Sequence, residues 1–163
     1  MGGLGKTTLV QQIYKNGRLK DHFTSQALVT VSQSLKQEEL LRELIRQLSP
    51  NLPQGIDAMG NHRLKEITKE LLQNERYLIV LDDVWKTEDW DQLKVAMPNN
   101  SCGSRVIITT RIDDVARYST KSTEYQGMSY PMKALSDSDS WTLFCKKTFQ
   151  GEPCPSHLEH ICE

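Results

Sequence analysis

The chain has 163 residues, of which 37% are hydrophobic and 25% are charged. These values are ordinary for a globular protein, and the length allows one domain with a core plus the start of a second. The net charge is −1, from 20 basic and 21 acidic residues, so no overall field favours nucleic acid or a membrane surface. No window approaches the roughly 20 apolar residues of a membrane span, and the charged-then-apolar layout of a signal peptide is missing. We therefore expect a cytoplasmic protein.

The first eight residues resemble a phosphate-binding loop and read Met1-Gly2-Gly3-Leu4-Gly5-Lys6-Thr7-Thr8. They supply all of the motif G-x-x-x-x-G-K-[ST] except its leading glycine, which would stand just before Met1. The backbone N–H groups of such a loop form an anion-binding nest, and the following helix adds the positive end of its dipole. We predict that a nucleotide's phosphates are bound by Gly2, Gly3, Leu4, Gly5, Lys6, Thr7 and Thr8.

Two side chains of this loop have specific predicted roles. Lys6 is placed to reach the β- and γ-phosphates, and the hydroxyl of Thr7 is placed to ligate Mg²⁺. A flexible glycine-rich linker is the alternative, but the apolar spacing of Leu9, Val10 and Ile13 indicates that a helix follows. The missing leading glycine and strand also lead us to expect that the chain was cut from a longer protein.

The remaining sequence alternates apolar runs with amphipathic helices, which is typical of a parallel α/β sheet. The predicted helices cover 7–15, 40–48, 64–74, 90–96 and 113–118, and the predicted strands cover 26–32, 77–81, 103–110 and 130–134. From Ser136 onward, a capping-box-like pattern with Asp139 begins a new helix, and another begins at Pro153. We therefore predict a P-loop nucleotide-binding domain over 1–134 and the beginning of a helical subdomain over 135–163.

Charged residues follow two of the predicted strands. Asp82 and Asp83 come directly after the apolar run 77–81, and Arg111 follows the strand 103–110. Ligands of open α/β sheets bind at the carboxyl ends of the strands. We predict that Asp82 holds Mg²⁺ and that Asp83 orients or deprotonates the attacking water. Arg111 is suited to bidentate contact with the γ-phosphate. Alternatively, the aspartates cap a helix or start a loop, and Arg111 is a solvated arginine at a strand end.

Five segments occur in an order that resembles one known family. They are residues 2–9, 28–33, 78–85, 103–111 and 134–144. Together they look like the NB-ARC module of plant nucleotide-binding leucine-rich-repeat disease-resistance proteins. Trp85, which follows the acidic pair, resembles the branch with a coiled-coil N-terminus. Leu28 departs from the tryptophan that is frequent in that branch, and the family's Gly-Leu-Pro-Leu and Met-His-Asp segments are not in the chain.

The resemblance implies a P-loop NTPase fold and an ADP/ATP switch that rests with ADP, is activated by ATP and is reset by slow hydrolysis. Lys6 and Thr7 then serve phosphate and magnesium binding, Asp82 and Asp83 serve hydrolysis, and Arg111 senses the γ-phosphate. The implied partners are an adenine nucleotide and the receptor's coiled-coil, remaining ARC and leucine-rich-repeat domains.

The resemblance also implies a sheet in which the P-loop strand lies between the strand ending at Asp82 and the strand beginning at Gly103. Because that central strand is missing here, we expect a gap with unpaired backbone groups on both edges. We therefore expect the chain alone to bind ATP poorly or not at all.

Other functions receive less support. A GTPase would need an Asn-Lys-x-Asp element, which is absent from the chain, and no phosphoryl-acceptor site marks a small-molecule kinase. A nucleotide-dependent scaffold with negligible turnover stays open, since binding and hydrolysis share residues, and so does another P-loop signalling ATPase. Four residues near the end could bind zinc, but their spacing fits no paired ligand motif; they are Cys154, His157, His160 and Cys162.

Overall fold

The structure is a computed structural model that describes residues 2–34, 36–121 and 127–150. The chain divides into two compact units, with the boundary between Tyr130 and Pro131. Across the described residues, no helix combines the length and the apolar character that crossing a membrane requires. The first unit carries all the residues that the sequence predicts to bind the nucleotide.

The first unit alternates helices and strands, as the apolar pattern predicted. Its helices are α1 (Lys6–Tyr14), α2 (Gly17–Lys20), α3 (Gln37–Leu48), α4 (Asn61–Leu72), α5 (Thr87–Lys94) and α6 (Asp113–Thr120), with a 3-10 turn at Ile56–Ala58. Its strands are β1 (Ser25–Thr30), β2 (Tyr77–Asp82) and β3 (Arg105–Ile108). The helix α2 was not predicted, because Asn16-Gly17 was interpreted only as a helix end. Asn16 instead caps the new helix, since its side chain accepts a hydrogen bond from the Arg18 N–H at 3.0 Å.

The three strands form one parallel sheet in the order β1-β2-β3. Its register aligns Ala27 of β1 with Ile79 of β2, and Ile79 with Val106 of β3. The predicted gap between β2 and β3 is therefore wrong, because these strands are hydrogen-bonded neighbours. Two facing edges with unpaired N–H and C=O groups are costly, and direct pairing satisfies those groups.

Helices cover both faces of the sheet. On one face, alternate strand residues such as Ala27 and Ile79 pack in a cluster with residues of α3 and α4, including Leu41 and Leu64. On the other face, Val10 of α1 packs with a second cluster that includes Phe23, Leu78 and Val80. The central strand β2 is buried at all six positions, which explains its unbroken apolar run. The α/β three-layer fold predicted from the sequence is thus confirmed.

The predicted strand over 130–134 is wrong. Residues 127–136 form no strand, and the side chains of Met128 and Tyr130 are 90% and 77% exposed. Burial of apolar side chains is the main source of strand stability, and Pro131 has no N–H to donate to a ladder. The apolar residues of this segment therefore lack the packing that would hold a strand.

The described part of the second unit contains the helix α7 (Asp137–Thr148). Ser136 caps it, because its Oγ accepts from the Asp139 N–H at 3.1 Å, in agreement with the predicted capping pattern. Trp141 and Phe144 stack one turn apart, with 5.7 Å between ring centroids. The predicted helix after Pro153 and the Cys/His group lie outside the described residues.

Candidate nucleotide-binding site

The glycine-rich loop leads directly into α1. Gly3 and Gly5 have φ angles of +76° and +81°, values that only glycine adopts at little cost. Gly5 is the residue before α1, and Lys6 and Thr7 form the first turn of that helix. Val10, which is 4% exposed, anchors α1 against the sheet. The loop and the positive end of the helix dipole are thereby held on the sheet.

Thr7 lies against the end of β2. Its hydroxyl donates to Oδ1 of Asp82 over 3.1 Å, although the two residues are 75 positions apart in sequence. The same Oδ1 accepts a second hydrogen bond, 2.5 Å long, from the hydroxyl of Thr109. Asp82 is only 3% exposed, so these hydroxyls replace the water that a carboxylate would otherwise bind. The first turn of α1, directly after the glycine-rich loop, is thus bonded to the acidic strand end.

Asp83 has an unusual backbone conformation, with φ of +62°. This left-handed conformation is uncommon for a residue with a side chain and persists where the surroundings enforce it. Here the Asp83 N–H donates to the Thr109 hydroxyl at 2.9 Å, and the next N–H, of Val84, donates to the Thr109 carbonyl at 2.8 Å. The end of β3 therefore determines where the Asp83 side chain lies.

Arg111 pairs with Asp83 in a bidentate manner. Its Nε donates to Oδ1 at 3.1 Å, and its second terminal nitrogen donates to Oδ2 at 3.2 Å. The other terminal nitrogen, Nη1, faces the loop, since a Cβ at Gly2 would lie 3.5 Å from it. Asp83 and Arg111 have side chains that are 23% and 48% exposed. A permanently charged guanidinium is thus held between an acidic side chain and the glycine loop.

The structure brings together most of the predicted site. Thr7 contacts Asp82, Arg111 contacts Asp83, and Arg111 lies against Gly2. The other predicted residues occupy the same loop and the first turn of α1; they are Gly3, Leu4, Gly5, Lys6 and Thr8.

One residue of this arrangement was missed by the sequence reasoning. Thr109 is 7% exposed and bonds to both aspartates, donating to the Asp82 carboxylate and accepting from the Asp83 N–H. It was noted only as part of the segment before Arg111. A hydroxyl residue at the end of a strand that is parallel to an acidic strand could have signalled this role, because both strand ends meet at one edge.

The oxygen atoms around Asp82 are suited to a hard divalent cation. A hydroxyl and a carboxylate are ligands that Mg²⁺ prefers, and Mg²⁺ is usually bound by one or two protein groups plus substrate phosphates. The Thr7 hydroxyl and the Asp82 carboxylate lie within 3.1 Å of each other beside the loop. The residues present therefore fit the cation that P-loop proteins use.

Comparison with known proteins also indicates a nucleotide-binding domain. The model of the NB-ARC domain matches residues 1–154. Disease resistance proteins RPM1 and RPP13 of Arabidopsis thaliana are 37% and 36% identical, over 98% and 93% of this chain. Disease susceptibility protein LOV1 of the same plant is 35% identical over 90% of the chain.

The aligned chain spans only part of these relatives, 17%, 18% and 15% of their respective lengths. The family match, however, covers nearly the whole chain. It agrees with the parallel α/β fold and with a glycine loop that lies beside an acidic strand end. The chain therefore belongs to the NB-ARC family of nucleotide-binding domains.

Proposed function

We propose that this chain is the nucleotide-binding core of an ADP/ATP switch in a plant disease-resistance receptor. The observation that carries the proposal is the meeting of Thr7 with Asp82 and of Arg111 with Asp83 beside the glycine loop. These side chains come from the helix after the loop, the end of β2 and the segment after β3. The carboxyl edge of a parallel sheet is where such proteins bind nucleotides.

Each side chain has a role that its chemistry supports. The loop N–H groups and Lys6 bind the phosphates, while the Thr7 hydroxyl and the Asp82 carboxylate would hold Mg²⁺. The bound cation would neutralise negative charge on the phosphate oxygens. Asp83 would orient the attacking water and accept its proton, and Arg111 would contact the terminal phosphate. An arginine at that position separates ATP from ADP, since only ATP offers a γ-phosphate.

The parent protein is proposed to act in the cytoplasm in the defence response. Its similarity to disease resistance proteins supports this assignment. The proposed partners of the domain are an adenine nucleotide and the other receptor domains, namely a coiled coil, the remaining ARC region and leucine-rich repeats. Nucleic acid is not among the proposed partners, because the net charge is −1.

A nucleotide-dependent scaffold with negligible turnover is the second candidate. It is favoured by the bidentate pairing of Asp83, because both carboxylate oxygens are engaged by Arg111. A carboxylate so occupied is a poor acceptor for the proton of an attacking water. The two candidates differ in whether Arg111 leaves Asp83 when ATP binds.

The proposed nucleotide site is tested by Lys6→Ala in the full-length protein. We expect the dissociation constants of ATP and ADP to rise at least tenfold, about 1.4 kcal/mol, because a charge contact to the phosphates is removed. Lys15→Ala is the matched control, since Lys15 follows the other end of α1. Isothermal titration calorimetry measures both variants. Unchanged affinity in Lys6→Ala would refute the phosphate-binding assignment.

A further inference from the structure

Trp85 lies two residues after Asp83 and contacts Arg111. The guanidinium carbon of Arg111 is 5.3 Å from the centroid of the Trp85 ring. This distance is within the range at which a cation over an aromatic face is attracted by the ring. Trp85 is half-buried, so the surrounding residues help to hold its ring in one position. The indole has no part in the proposed binding and hydrolysis of the nucleotide.

The guanidinium of Arg111 has three separate contacts. One edge pairs with Asp83, the nitrogen Nη1 faces Gly2, and the group lies over Trp85. A carboxylate and a phosphate compete for the same bidentate edge of a guanidinium, because both accept two parallel N–H bonds. An aromatic ring does not compete for that edge. The contact with Trp85 can therefore persist while the edge changes its partner.

An unrestrained arginine would lose much of its advantage as a phosphate contact. The side chain has many rotamers, and fixing it in one of them on ligand binding costs conformational entropy. The Arg111 side chain is 48% exposed, so core packing does not hold it. Trp85 restrains it in a way that does not depend on which anion is bound.

We propose that Trp85 is the positioning residue of Arg111 and thereby sets the preference for a nucleoside triphosphate over a diphosphate. The ring keeps the guanidinium beside the glycine loop, where its edge passes from the Asp83 carboxylate to the terminal phosphate. The inference rests on the proposed role of Arg111 and adds the residue through which that role is achieved. Trp85 itself touches neither the phosphates nor the reacting water.

The test measures the affinities of a non-hydrolysable ATP analogue and of ADP in the full-length protein. Trp85→Leu keeps apolar volume but has no ring, and we expect it to weaken binding of the ATP analogue about two- to fivefold. Its ADP affinity is expected to stay unchanged, because ADP lacks the γ-phosphate that Arg111 is proposed to contact. Trp85→Phe retains a ring and is expected to restore most of the preference. Trp85→Met makes the same comparison should the leucine variant fail to fold.

A double-mutant cycle separates positioning from general structural support. In an Arg111→Ala background, Trp85→Leu is expected to cause no further change in the affinity for the ATP analogue. Tyr118→Leu is the matched control, because Tyr118 also lies near a cation, Lys94, at 5.9 Å, and its hydroxyl donates to Asp91, which is not a predicted site residue. That control is expected to leave the ratio of the two affinities unchanged.

Two results would overturn the inference in distinguishable ways. Trp85 does not position Arg111 if Trp85→Leu weakens the binding of both nucleotides equally, or if it lowers the affinity for the ATP analogue just as much in the Arg111→Ala background. The proposed function would then still stand. If Arg111→Ala itself leaves the affinity for the ATP analogue unchanged, the proposed phosphate contact fails, and the inference fails with it.

Discussion

Two clusters in this molecule combine the same three classes of side chain but differ in their surroundings. Each contains a basic side chain, an aspartate and an aromatic ring. The site cluster consists of Arg111, Asp83 and Trp85, and the surface cluster consists of Lys94, Asp91 and Tyr118. The comparison shows which features, beyond composition, distinguish a candidate functional site from a structural contact.

The surface cluster joins two helices by ordinary side-chain contacts. Lys94 lies one turn after Asp91 on α5, with 2.5 Å between Nζ and Oδ1, and the hydroxyl of Tyr118 on α6 donates to Oδ2 at 2.7 Å. The hydrogen bonds from Lys94 and then from Tyr118 lower the pKa of the Asp91 carboxyl. The bond to Asp91 raises the pKa of the Tyr118 phenol. The Asp91 carboxylate therefore forms an ion pair with Lys94 of its own helix and accepts a hydrogen bond from Tyr118 of the neighbouring helix.

The site cluster depends on an unusual backbone and on strand ends. Asp83 occupies the left-handed region, and its N–H is bonded to Thr109. Strain of this kind is concentrated where a side chain must be held in one direction for function. Arg111 has a terminal nitrogen near Gly2 in addition to its two bonds with Asp83. The strained backbone and the neighbouring glycine loop therefore distinguish this cluster, and composition does not.

The largest expected difference is in the rate of ATP hydrolysis, between substitution of Asp83 in the site cluster and of Asp91 in the surface cluster. Asp83→Asn removes the proposed base while keeping the shape, and we expect ATP hydrolysis to fall by at least about 100-fold. ATP binding is expected to be retained. Asp91→Asn is the matched change in the surface cluster and is expected to leave the hydrolysis rate unaffected. Single-turnover measurements with the full-length protein compare the two variants.

Hydrolysis at the normal rate in Asp83→Asn would remove Asp83 from the mechanism. If hydrolysis falls but the signalling output of the receptor is unaffected, the switch hypothesis itself is contradicted. If the unsubstituted protein shows no turnover at all, the scaffold function is favoured.

Thr109 offers a second way to separate the site from its surroundings. Thr109→Val keeps the side-chain shape but removes both the bond to Asp82 and the bond from Asp83. Because hydrogen bonds to charged groups contribute about 1.5–3 kcal/mol, we expect the free energy of unfolding to fall by about that amount. The Mg²⁺ concentration needed for tight nucleotide binding is also expected to rise, since Asp82 loses its position.

The neighbouring threonine supplies the control. Thr110 donates to the Val84 carbonyl at 2.7 Å and accepts from the Ile112 N–H at 3.0 Å, so its bonds join uncharged groups. Thr110→Val is expected to cost less, about 0.5–1.5 kcal/mol, without changing the Mg²⁺ requirement. Thr109→Ser should keep normal nucleotide binding. Equal effects of the two valine substitutions on the Mg²⁺ requirement would show that Thr109 has no special role.

The sequence predicted the strands whose burial leaves a clear pattern. The run from Tyr77 to Leu81 is apolar at every position because both faces of β2 are covered. The closeness of Thr7 to Asp82 was also implied, because both residues were predicted to bind the same Mg²⁺ ion. Inferences of this kind depend on one segment or on the chemistry expected of a motif.

Other features depend on which segments become neighbours, and local patterns do not contain that information. Three features are of this kind: the direct pairing of β2 with β3, the two hydrogen bonds of the Thr109 hydroxyl, and the ring contact between Trp85 and Arg111. The pairing of β2 with β3 also removes the open edges that supported the prediction of weak ATP binding by the chain alone. That prediction therefore stays untested, with one of its physical reasons gone.

The smallest expected effect lies in the surface cluster. Tyr118→Phe removes the hydroxyl that donates to Asp91, so we expect the pKa of the Asp91 carboxyl to rise towards its ordinary value. A carboxyl whose pKa is lower in the folded state stabilises the fold above its unfolded pKa, and that contribution is lost as the pH falls. The variant should therefore lose less stability on acidification than the unsubstituted protein. NMR titration of the Asp91 carboxyl measures the shift directly.

The ATP and ADP affinities of Tyr118→Phe are expected to match those of the unsubstituted protein, because the hydrogen bond that it removes joins Tyr118 to Asp91, which is not a predicted site residue. A change in the ATP-to-ADP preference of this variant would mean that α5 and α6 transmit an effect to the loop. The two clusters would then be coupled, and backbone strain beside the glycine loop would no longer suffice to distinguish the site cluster from the surface cluster.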